Sequence, residues 1–175
     1  MANKQALREL QTRLAERMQA ARTQPRGQSW LAVECRGHGL LLPLEQAGEI
    51  FALVPLLPVP HTQSWFAGVA NLRGGLHGVV DLARFLNLPD AAAGEGGRDA
   101  RLIALGASLN LNGALLVDRL AGLRSVEQLH AEGDATPVPE RPAFASSRWR
   151  DGAGRGWQVL DLAALAHDSR FLSIV

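Results

Sequence analysis

From residue 30 onward the chain is a succession of short apolar runs cut apart by glycines and prolines, and this pattern limits its fold more than any other. WLAVEC (30–35), LLLPLEQ (40–46), GVANL (68–72), LHGVVDL (76–82), ARLIALGA (100–107) and LNGALLVDRLAGLRSV (111–126) read as strands, and GWQVLDLAALA (156–166) as a closing strand and helix. Arg36 to Gly39 reads as a hairpin turn, and Asn112-Gly113 as a tight turn. Pro55, Pro58 and Pro60 break up their stretch, HTQSWFAG (61–68) suits one helical turn, and residues 89–99 and 131–147 read as loops. Many short strands with such turns point to β-barrels or a sandwich. The runs are apolar for several residues rather than strictly alternating, which fits small barrels packed on each other.

Residues 1–29 are different. In KQALRELQTRLAERMQAAR (4–22), Leu7, Leu10, Leu14, Met18 and Ala21 recur at three- and four-residue steps, the spacing of an amphipathic helix. TQPRGQS ends it and serves as a linker. Residues 1–26 hold six basic and two acidic residues, a balance of +4, so the rest of this +1 chain stands at −3. Two readings stay open: docking on its own domain or a partner, or lying on a membrane surface. The apolar face has no aromatic residue, which favours docking.

An internal echo points to a repeat. VVDLA (79–83) returns as VLDLA (159–163), 80 residues later. In each, an apolar strand runs into an aspartate that precedes a helix-prone segment, and an Asp N-cap accounts for both. The echo predicts two related β-rich halves, each closed by a short helix.

Several function classes find little support. The single cysteine, Cys35, forbids an intramolecular disulfide and fits a reducing compartment; it sits on an apolar strand, as a small core residue does. No apolar run approaches the ~20 residues that span a bilayer. The five histidines are scattered, with no metal-ligand spacing to Cys35. GGLHG and GAGRG match no phosphate-binding loop, and no nucleophile elbow is present. Asp81 and Asp161 read as caps rather than a catalytic pair. The region after residue 26 lacks the basic, aromatic face of a nucleic-acid binder, and the chain holds no tyrosine. The sequence therefore implies no catalytic residue, metal or cofactor, and leaves a small β-barrel enzyme or nucleic-acid-binding barrel as the competing classes.

What remains is GVANLRGGLHGVVDLARFL (68–86). Arg73 lies among glycines at the end of an apolar strand. It is either a solvated turn residue or a guanidinium presented on a rigid sheet edge for protein recognition, beside Leu72 and Leu76.

This segment resembles the hallmark of the CheW family, in which an apolar strand ends in NLRG and returns through a second strand to a DL-helix. WLAVECRGHGLLLPLEQAGEI is similar to that family's opening hairpin, LIALGASLNLNGALLVDRLAGL to its second-half hairpin, and WQVLDLAALA to its closing strand and helix. The likeness covers about residues 30–172. It implies an all-β fold with short helices: two intertwined five-stranded β-barrel subdomains without an active site, here preceded by the N-terminal helix. It also implies an adaptor that couples the cytoplasmic tip of a methyl-accepting chemoreceptor to the regulatory domain of a CheA-type histidine kinase. Such an adaptor is cytoplasmic, recruited to receptor arrays at the inner membrane without inserting into it. By position, the receptor-facing residues are Ala47, Glu49, Asn71, Leu72, Arg73, Gly74 and Leu76, with Glu49 either orienting Arg73 or meeting a basic receptor residue. Ala47 is smaller than the valine usual in the family, and His77-Gly78 replaces an apolar residue and proline. The added N-terminal helix most resembles the branch serving type IV pilus (twitching) systems; flagellar chemotaxis coupling is the alternative.

Overall fold

The computed structural model describes residues 28–89, 99–132 and 142–175. The helix expected at residues 4–22 lies outside them.

Among the described residues, eleven strands form two sheets. The first hairpin is β1 (Ser29–Cys35) and β2 (His38–Pro43). The chain then enters a second sheet with β3 (Ala47–Ala52), β4 (Phe66–Leu72), β5 (Gly75–Asp81), the short helix α1 (Leu82–Phe85), β6 (Arg101–Leu105) and β7 (Gly113–Val117). It returns to the first sheet with β8 (Arg119–Ser125), β9 (Leu129–Glu132), β10 (Ala145–Asp151) and β11 (Gly156–Leu160), and ends in helices α2 (Leu162–Ala166) and α3 (Ser169–Leu172). The strand orders are β8-β1-β2-β11-β10-β9 and β3-β6-β7-β5-β4. The resemblance implied five strands in each unit; the short β9 adds a sixth to one of them.

The repeat is visible as topology. Strands β1-β2-β3-β4-β5 with α1 correspond in order and pairing to β6-β7-β8-β10-β11 with α2. In each sheet the strand before the helix makes the one parallel pairing, β5 with β7 and β11 with β2. The repeats are not themselves the sheets, because each lends its first hairpin to the sheet completed by the other. Both aspartates of the echo cap helices. The Asp81 carboxylate accepts from Arg84 N, and that of Asp161 from Ala163 N and Ala164 N. Asp168 caps α3 in the same way.

This exchange explains the unbroken apolar runs. On β1, Trp30 and Ala32 face a cluster inside the first sheet, while Leu31, Val33 and Cys35 face the central core between the sheets. On β6, Leu102 faces the inside of the second sheet and Ile103 and Leu105 the central core. The exchanged hairpins are buried on both faces, so neither face needs polar residues.

Both sheets curl. Trp30 on β1 and Trp149 on β10 are three strands apart, about 14 Å in a flat sheet, yet their ring centroids lie 5.3 Å apart. Glu34 on β1 binds across the same curl. It accepts from Arg119 Nε on β8 at 2.7 Å and from Arg155 Nη1, in the β10–β11 turn, at 2.6 Å. Burial works to raise its carboxyl, but hydrogen bonds from Arg155 and then Arg119 outweigh burial and hold it below the ordinary glutamate range.

Some expectations are corrected. Residues 61–68 form no helical turn; they hold a turn and the start of β4. Asn112-Gly113 is not the hairpin turn: β6 and β7 are joined through a 3-10 turn (Ala107–Leu109) and Asn110 at φ 51°, and β7 begins at Gly113. The stretch 131–147 is not all loop, because β9 runs to Glu132 and β10 starts at Ala145. Residues 111–126 split at Asp118 between the two sheets.

Candidate docking surface

The β4–β5 hairpin closes through two residues, Arg73 and Gly74, flanked by the pair Leu72 and Gly75. Their φ values are 49° and 85°. Two positive φ angles define the turn whose twist matches that of paired strands. Glycine adopts this conformation freely, and arginine does so at a cost. Asn71 supports the turn, its Oδ1 accepting from Gly74 N at 2.8 Å.

The turn aims Arg73 outward. Its side chain is 76% exposed, and its Nη2 meets Glu49 Oε1 at 2.8 Å. Glu49 thus orients Arg73. Asn71 and Leu76 are paired across the strands and both exposed, Leu76 at 65%. A bridge from Leu57 to Val69 covers the outer edge of β4 and places Leu57, 69% exposed, two strand positions from Asn71. Ile50, next to Glu49, is also exposed.

The seven residues expected here do not share one surface. Glu49, Asn71, Arg73, Gly74 and Leu76 are exposed. Leu72 is buried in the interior cluster of the second sheet, so it anchors the turn from within and offers no contact surface. Ala47 pairs with Leu105 and packs against the central core. The sequence reading missed Leu57, which stands in the proline-broken stretch without any pattern to mark it. It also missed Ile50, whose direction is set by a bulge between Ala47 and Ile50.

Cys35 is fully buried. Burial first, and then the charge of Asp118, pushes its thiol up to about 12, which removes it as a nucleophile near neutral pH. Among the described residues no helix is long and apolar enough to cross a membrane.

The family model for the CheW-like domain matches residues 29–170. The chain belongs to the CheW-like domain family. Protein PilI of Pseudomonas aeruginosa is 27% identical to this CheW-like chain over 151 residues, covering 84% of this chain and 81% of its own. The crystal structure of the scaffolding protein TtCheW from Thermoanaerobacter tengcongensis superimposes on the CheW-like domain with a TM-score of 0.66 at 16% identity. That match covers 85% of this chain and 98% of the other. The order of segments recognised in the sequence, from the opening hairpin to the closing helix, is the order in which the CheW-like domain is built.

Proposed function

We propose that this protein is a non-enzymatic signalling adaptor that couples the cytoplasmic tip of a methyl-accepting chemoreceptor to the regulatory domain of a CheA-type histidine kinase. The system it serves controls type IV pilus twitching, a reading supported by the likeness to PilI along most of both chains. The adaptor works in the cytoplasm, recruited to receptor arrays at the inner membrane. The carrying observation is the rigid turn that holds Arg73 outward, fixed by Glu49 from another strand.

The receptor tip meets the surface of Glu49, Asn71, Arg73, Gly74 and Leu76, with Leu57 and Ile50 extending its apolar part. Ala47 and Leu72 act from below by holding β3 and the turn in place. Arginine at the centre of such a patch supplies directional hydrogen bonds, and flanking leucines supply apolar area. Truncating a central interface arginine costs about 2 kcal/mol or more, roughly 30-fold in affinity.

The test is binding of wild type and Arg73→Ala to a receptor tip fragment and, separately, to a CheA-type regulatory domain. A folded Arg73→Ala that loses receptor binding and keeps kinase binding supports the reading. Wild-type protein that binds neither partner overturns it.

A further inference from the structure

Gln28, where the described chain begins, lines a groove of about 720 Å³ on the first sheet. Leu44, 43% exposed, is its main apolar surface, Trp30 and Val159 reach it only with nearly buried edges, and Glu45 and Asp161 bring two carboxylates. No lysine or arginine lines it. Asp161 is engaged as the cap of α2. Glu45 is exposed, and no ion pair involves it among the described residues. A second groove, about 580 Å³, is lined by Arg148 and Arg155 with Glu132 as its one carboxylate.

The segment before Gln28 has the complementary character. Residues 4–22 carry five basic and two acidic residues, net +3, and their leucines recur at the spacing that gathers them on one helix face. Glu45 offers such a segment an opposite charge, whereas in the other groove Arg155 is paired with Glu34 and Glu132 with Arg150, which leaves Arg148 to oppose it. Five residues, 23–27, separate Arg22 from Gln28. The six Cα steps from Arg22 to Gln28, at about 3.4 Å each, reach roughly 20 Å, so the segment can lie along the groove at whose edge it is tethered. A tether this short raises the effective concentration to the millimolar range, and a modest apolar contact is then enough.

We propose that the basic segment of residues 4–22 seats its leucine face in this groove of its own chain, with Glu45 facing its arginines. The proposal is independent of the receptor surface described above. It places the segment beside Gln46, whose side chain donates to Asp161 Oδ1 at 3.2 Å and accepts from Leu162 N at 2.7 Å. Gln46 directly precedes β3, the strand that carries Glu49. The N-terminal segment is thus an added wall of the CheW-like domain, held against the start of that strand.

Cysteine pairing in the full chain tests this. The native Cys35 is buried and stays out of thiol exchange. Leu10→Cys, Leu14→Cys and Met18→Cys are each combined with Leu44→Cys and, as control, with Leu57→Cys on the second sheet. Mild oxidation at low protein concentration is followed by peptide mapping. The expected result is an intramolecular disulfide to position 44 from at least one of the three, about tenfold faster than to position 57. Glu45→Lys and molar salt should each slow it several-fold. Equal rates to both positions overturn the proposal, as does a rate to position 44 indifferent to Glu45→Lys. Disulfides formed only between chains overturn it in favour of a second copy as occupant.

Discussion

Glu49 and Arg73 stand at opposite ends of a five-stranded sheet, one on edge strand β3 and the other in the β4–β5 turn, and their side chains meet at 2.8 Å. In a flat sheet these positions would be about 14 Å or more apart. The ion pair therefore reports the curl of the sheet, and the curl brings two sequence-distant charges to one surface. The other sheet is pinned differently, by a buried carboxylate between two arginines. One closure is exposed, and the other buries its carboxylate while its two arginines reach water.

The exposed pair should matter little to stability. Arg73→Ala and Glu49→Ala should each change the unfolding free energy by less than about 1 kcal/mol, with a coupling of about 0.2–1 kcal/mol in a double-mutant cycle. Urea unfolding of the four proteins measures this. A coupling well above 2 kcal/mol would make the pair a structural clasp first and a docking element second.

Two glycines should respond very differently to alanine. Gly74 has φ 85° and open space where a Cβ would stand, so Gly74→Ala should cost only the left-handed strain, about 1–2 kcal/mol. Gly68 has φ 129°, and a Cβ there would lie 2.4 Å from the Leu57 carbonyl oxygen. Gly68→Ala should cost about 3 kcal/mol or more and open the bridge that covers β4. Comparable thermal shifts for the two variants would contradict this.

Glu34 gives a pH dependence of defined sign. Its folded carboxyl lies below the ordinary value, so its stabilisation is present above about pH 4.3 and is lost as pH falls through the folded value. Glu34→Gln should cost about 1–3 kcal/mol at pH 7, at the moderate end because both arginines retain contact with water. The variant should also lose less stability than wild type between pH 5 and pH 3. Parallel acid limbs for the two proteins would show that Glu34 does not titrate with folding.

Cys35 should be silent. With its thiol pushed up to about 12, roughly one molecule in ten thousand is thiolate at pH 8. An aromatic disulfide reagent should label it only as fast as the protein unfolds. Rapid labelling of the folded protein would place the side chain at the surface.

Much of this architecture was legible in the residues. The strand runs, the two Asp-capped helices and the NLRG turn follow from local chemistry. Proline and glycine break strands, aspartate oxygens satisfy the first free N–H groups of a helix, and Arg-Gly occupies two left-handed positions. The exposure of Leu57 and the burial of Leu72 were not legible, because both are leucines in short segments. Which one faces solvent depends on an isolated bridge and on the curl of a sheet whose strands are far apart in sequence.

The sequence by itself determined where most of the apolar strand runs lie, that the chain repeats, and that the NLRG turn carries an arginine; it did not mark β3, β9 or β10. The features it determined depend on backbone conformation and on neighbours within a few positions. Only the tertiary structure decided that the repeats exchange their hairpins, that Glu49 meets Arg73, and that Glu34 is caught between Arg119 and Arg155. These pairings join residues from 24 to 121 positions apart, and the hydrophobic effect that drives them rewards buried area without naming the partner. The choice of partner came from sheet order and curl.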